Sequence, residues 1–115
     1  MNRLELGERY SRLEGEARVL RGVLETLTRL GIPFRRCHVV AAQGRVTRNR
    51  GFPDVIACLK PGGRMLAIET KSKDGKLRPE QEAFRREFEA VGALYVVIRS
   101  PSELDEVLKM WGILR

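Results

Sequence analysis

Asp54, Glu69 and Lys71 have residue types and spacing suited to chemistry on a phosphodiester. Glu69 and Lys71 are one residue apart at the end of the apolar run 65–71. In a β-strand, residues two apart project to the same face, so a carboxylate and an amine would stand side by side. Asp54 precedes a second short apolar run, Val55 to Leu59, and the intervening Lys60-Pro61-Gly62-Gly63-Arg64 is dense in turn formers. The two runs therefore read as the arms of a β-hairpin. Folded symmetrically about Gly62, the hairpin sets Asp54 opposite Thr70, and a register shift of one sets it opposite Glu69 or Lys71. Carboxylates so close raise each other's pKa unless positive charge lies between them. Mg²⁺ suits such a pair, because it prefers oxygen ligands and keeps several waters, with the backbone carbonyl of Thr70 as a further donor. The chain has one histidine and no cysteine beside these residues, so zinc is a poor fit. A hard cation lowers the pKa of a bound water and neutralises charge growing on a phosphate. Lys71 is placed to deprotonate the nucleophile or to stabilise charge, and the sequence leaves that choice open.

The elements that must position these residues follow from periodicity. Ser11-Arg12-Leu13-Glu14 has capping-box spacing, and Leu13, Ala17, Leu20, Leu24 and Leu27 give one buried helical stripe, so a first helix runs to about Leu30. Gly31 and Pro33 stop it, and Gly15 and Gly22 weaken it. Phe34 to Ala42 reads as one strand ending at Gln43-Gly44, and Arg45 to Arg50 as an exposed basic loop. After the hairpin and a polar loop, Pro79 opens a second helix carrying Phe84, Phe88 and Val91 and ending at Gly92. Ala93 to Ile98 is a uniformly apolar central strand, parallel to 65–71 through a right-handed crossover. A short last helix starts at Pro101, with Leu104, Val107 and Leu108 on one face. The order is α-β-β-β-α-β-α, an α/β fold in which helices cover a mixed four-stranded sheet. The tail with Trp111, Ile113 and Leu114 either folds back on the core or meets a second subunit.

Size and charge bound the reading. A chain of 115 residues has room for a single domain, 1–115, with its own core. Twenty-two Lys and Arg against fifteen Asp and Glu give a net charge of +7, which favours a polyanionic partner such as nucleic acid. Arg45, Arg48 and Arg50 on one side of the acidic residues, and Lys73, Lys76 and Arg78 on the other, are candidate phosphate contacts. Cys37 and Cys58 lie in apolar stretches without metal-ligand spacing and read as reduced core residues, pointing to a cytoplasmic protein. There is no run suited to crossing a bilayer and no secretory leader, so no membrane partner is expected. His38 reads as a strand histidine outside the site.

Gly51-Phe52-Pro53-Asp54, then Glu69-Thr70-Lys71 after a glycine-containing turn, then Gln81 opening a helix, resemble the PD-(D/E)XK nucleases and most closely their compact stand-alone VRR-NUC branch. The similarity spans about Glu16 to Glu106. It implies a restriction-endonuclease-like fold and metal-dependent hydrolysis of DNA phosphodiesters. It further implies that Asp54 and Glu69 hold Mg²⁺ or Mn²⁺, that Lys71 assists the attacking water, and that Gln81 lies near the site. A first-helix glutamate completes such sites, with Glu16 the better match and Glu14 the competitor. Stand-alone members imply a homodimer acting on branched DNA such as a four-way junction. A non-catalytic nucleic-acid-binding module on the same fold, or a nuclease for linear DNA or RNA, are the alternatives.

Overall fold

The computed structural model describes residues 3–37, 40–42, 45–47 and 51–114, and of 4–13, 40–42 and 45–47 it describes the backbone path alone. Its elements are α1 (Arg3–Leu30), β1 (Phe34–Arg36), β2 (Val40–Ala42), β3 (Arg45–Thr47), β4 (Val55–Leu59), β5 (Arg64–Thr70), α2 (Pro79–Ala90), β6 (Leu94–Ile98) and α3 (Glu103–Met110). Strands β1, β4, β5 and β6 form a mixed four-stranded sheet in that order, the α/β arrangement expected from the sequence. The additional pair β2–β3 is an antiparallel ribbon of its own. Two compact units divide the chain: Met1–Gly31 with Thr70–Gly75 and Val97–Arg115, and Ile32–Glu69 with Lys76–Val96. Among the described residues, no helix is long and apolar enough to cross a membrane.

In the first unit, α1 begins at Arg3, so the Ser11 capping-box spacing lies inside the helix and starts nothing. The buried stripe is Val19, Val23, Thr26 and Leu27; of the expected series Leu27 is buried, Leu20 and Leu24 are half-buried, Ala17 is exposed, and the side chain of Leu13 lies outside the description. Gly22 explains the rotation. Its Cα faces Pro101 so closely that a Cβ would sit 2.4 Å from the Pro101 carbonyl oxygen. A residue expected to weaken the helix is the one that lets it approach the segment leading into α3. That segment opens α3 at Glu103 rather than at Pro101, and Leu104 and Leu108 are wholly buried. Arg29 Nη2 on α1 donates to both oxygens of Asp105, at 2.6 and 2.9 Å, an ion pair joining the two helices. The tail folds back on its own helix, with the Ile113 and Leu114 amides donating to the Leu108 carbonyl, while Trp111 stays 38% exposed.

In the second unit, β4 and β5 are the expected hairpin, one step out of the symmetric register: Val55 pairs with Ile68 and Leu59 with Arg64. Gly62 and Gly63, both at positive φ, complete the turn early and release Arg64 into the strand. The stretch 34–42 is not one strand. Phe34–Arg36 pairs antiparallel with β4, whereas Val40–Ala42 pairs with Arg45–Thr47, a strand where the sequence predicts an exposed loop. Residues 38 and 39, including His38, lie outside the described residues, as do 43 and 44. In α2, Phe84 is buried and stacks on Phe88, their centroids 3.9 Å apart, but Val91 is 85% exposed and belongs to the helix end rather than its inner face. Neither cysteine is a core residue: Cys58 is exposed and Cys37 half-buried, both outside any disulfide.

Candidate active site

Pairing across three strands builds the site. The β1–β4 ladder extends one residue beyond Arg36↔Val55, because the Cys37 amide donates to the Asp54 carbonyl at 2.9 Å. The β4–β5 ladder, continued one step beyond Val55↔Ile68, sets Asp54 directly opposite Glu69. Directly opposed residues of antiparallel strands share a face, so Cys37, Asp54 and Glu69 form one row across the sheet. The pleat sends Val55, Ile68 and Thr70 to the other side, where all three are buried.

Glu69 is 4% exposed, a placement that carboxylates take only with specific partners, and Asp54 is half-buried. One partner of Glu69 comes from the first turn of α2. The Gln81 side-chain nitrogen donates to Glu69 Oε1 at 3.0 Å, and Gln81 Oε1 accepts from the Arg78 backbone amide at 2.9 Å. The second bond fixes which end of the amide faces the acid: capping the helix turns the donor toward Glu69. Gln81 is itself buried, not the solvent-facing first-turn residue its type suggests.

Two further groups sense both acids. The Cys37 thiol is pushed above its ordinary pKa, first by burial and then by the charges of Asp54 and Glu69. The Tyr95 hydroxyl is pushed up in the same way, by burial and then by Glu69, partly offset by Arg85, with Asp54 adding to the rise. Tyr95 lies on β6 beneath α2, with Arg85 5.3 Å from its ring centre and Phe84 at 6.3 Å. Sequence reading passed over Tyr95 as part of a uniformly apolar strand. The available signal was its polar tip in the strand that the crossover makes a neighbour of Glu69's strand.

The remaining candidates stand as follows. Thr70 is buried and Lys71 half-buried, and the Lys71 amide donates to the Ile98 carbonyl at 3.0 Å, carrying the ladder one residue past β5. Both belong to the first unit, as do Glu16, half-buried on α1, and Glu14, exposed. Lys73, Lys76 and Arg78 are exposed. Arg45 lies in β3, its side chain undescribed, and Arg48 and Arg50 fall outside the described residues.

As a donor set, Asp54 and Glu69 offer hard oxygens on one row, which fits Mg²⁺ or Mn²⁺. Among the described residues there is no group of three or more His, Cys, Asp and Glu able to hold a metal. The structure corrects the expectation that no cysteine stands beside the acids, because Cys37 shares their row.

Comparison with known proteins agrees with this architecture. No curated protein matches the chain. A solved structure described as a VRR_NUC domain superposes with a TM-score of 0.64 at 26% identity, covering 84% of this chain and 97% of that one. The family model for the VRR-NUC domain, a nuclease-type domain, matches residues 41–101, a span holding Asp54, Glu69, Lys71 and Gln81. That span is more than half of the sequence, and the chain belongs to the VRR-NUC family.

Proposed function

We propose that the protein is a Mg²⁺-dependent endonuclease that hydrolyses DNA phosphodiesters, selective for branched structures such as four-way junctions and acting as a homodimer. The observation that supports the chemistry best is the pairing Val55↔Ile68, whose continuation by one residue brings Asp54 level with Glu69. In this reading those carboxylates hold the cation together with the Thr70 carbonyl, and Glu16 adds a ligand from α1. The bound cation supplies a nucleophilic water and a counter-charge for the phosphate. Gln81 keeps one oxygen of Glu69 in a fixed orientation, as an outer partner orients a metal ligand. Lys71 holds or takes the proton of the attacking water. The net charge of +7, with exposed Lys73, Lys76 and Arg78, favours a polyanion, and the same role extends to Arg45, Arg48 and Arg50. The preference for branched DNA and the dimer rest on the family resemblance.

The test is cleavage of labelled linear, flapped and four-way DNA with Mg²⁺, Mn²⁺ or EDTA, beside Asp54→Asn. Cutting of the four-way substrate that needs the metal and vanishes in the variant is expected. Cutting that persists in EDTA discards the metal chemistry, and binding without cutting establishes a non-catalytic module instead.

A further inference from the structure

Phe52 is an exposed large hydrophobic residue two positions before Asp54, with 47% of its surface open. Its surroundings set it apart from the other exposed apolar residues described, Val91, Met110 and Trp111, which all lie at the ends of helices. Gly51 is buried at φ 90°, and a Cβ there would meet the Glu80 carbonyl oxygen at 2.4 Å. Pro53, on the other side, is fully buried. Both flanks of the ring are thus fixed in the backbone. The side chain rests edge-on against Phe84, centroids 5.5 Å apart at 62°, and Phe84 is backed by Phe88. An exposed aromatic alone is ordinary. One clamped on both sides and braced by a second ring is a preorganised flat surface, and ordering it on binding costs little entropy.

Position gives that surface an occupant. Two residues of extended chain span at most about 7 Å, so the ring stands within one nucleotide's reach of anything held at Asp54. Resting on the nuclease reading above, we propose that Phe52 is a stacking platform for a nucleobase of the strand being cut, and that the site selects DNA in which a base next to the scissile phosphate can leave its stack. Nucleobases stack on such rings without regard to sequence, because each has a π-face. A fully paired duplex must first break a base–base stack to use the platform, whereas a branch point or an unpaired strand offers a base already loosened. The aromatic surface thereby converts looseness of structure into a rate difference.

The test is photo-cross-linking of the full-length protein to branched and linear DNA carrying 5-iodouracil at successive positions around the mapped cut, with Ca²⁺ in place of Mg²⁺. A cross-link to the peptide holding Phe52, from one nucleotide beside the cut, is expected. Phe52→Leu keeps an apolar contact for Phe84 but has no π-face. It should lose the cross-link and cut the branched substrate roughly five- to 150-fold more slowly, the range for one lost base stack, while Phe52→Tyr retains both. An abasic site at that nucleotide should slow the wild type and leave Phe52→Leu unaffected. Wild-type cross-linking and cutting in Phe52→Leu at an unchanged melting temperature overturns the platform and leaves the nuclease standing. A Phe52 cross-link in a protein that cuts nothing with Mg²⁺ or Mn²⁺ overturns the nuclease and leaves the platform as a binding feature. A protein that neither cuts nor cross-links overturns both.

Discussion

The two faces of the β4–β5 hairpin are built from the same sixteen residues of sequence, 54–69, yet they are opposite in character. One carries Val55, Ala57, Leu59, Leu66 and Ile68, all 3% exposed or less. The other carries Asp54, Ile56 and Cys58 on one arm and Met65, Ala67 and Glu69 on the other, graded from an exposed end near the turn to a buried acid at the far end. Strand alternation alone makes this division, so stability is concentrated on one face and ionisable groups on its reverse. Chemistry and cohesion are separated by the thickness of a single pleated layer, and a mutation at one position should disturb one property and spare the other.

Adjacent positions test that separation. Glu69→Gln should lower metal-dependent cleavage by more than about a hundredfold, above the range for outer partners of a metal site, with little loss of melting temperature. Ile68→Ala, one residue away, should do the reverse: a loss of about 2 to 5 kcal/mol in denaturant unfolding, with the activity of the remaining folded molecules near wild type. Equal loss of activity per folded molecule in both variants would break the comparison. A smaller effect is expected at Gln81. Gln81→Ala removes the donor to Glu69 and should raise the Mg²⁺ concentration needed for half-maximal cutting about tenfold to a hundredfold. An unchanged metal requirement would reduce that contact to helix capping.

The smallest effect concerns Tyr95, whose buried hydroxyl has no hydrogen-bond partner among the described residues. Its pKa is raised in the fold, so its contribution to stability is present below the ordinary tyrosine value of about 10 and is lost as pH climbs past it. Tyr95→Phe should therefore flatten the fall in stability above about pH 10. Near neutrality it should change stability by no more than about 1 kcal/mol, since it removes an unpaired buried group rather than a bond. An alkaline profile identical to wild type would show that other groups govern that limb.

The elements around the site were legible because hydrophobic period and turn chemistry agree there: the hairpin, α2 behind Pro79 and the strand 94–98 emerge within a few residues of their observed bounds. The register was less so. It depends on which glycine closes the turn, and two glycines at positive φ instead of one displace the arms by a single step. The acids at 54 and 69 were marked out by type and spacing, but Gln81's burial was invisible, since a polar residue in a first helical turn usually faces solvent. The stripe of α1 was misplaced because leucines outweigh a glycine in any hydrophobic count. Close backbone approach at Gly22, a tertiary fact, decides which side turns inward. The ribbon β2–β3 eluded the reading for a similar reason, its second strand being two polar residues around Val46.

Consecutive residues at the start of α2 reach the chain on both sides of the acidic pair: the Glu80 carbonyl abuts Gly51, three residues ahead of Asp54, and Gln81 donates to Glu69 itself. A displacement of that helical turn would act on the strand of Glu69 and on the approach to Asp54 together. One peptide unit of α2 thus couples the helix to both arms that present the carboxylates.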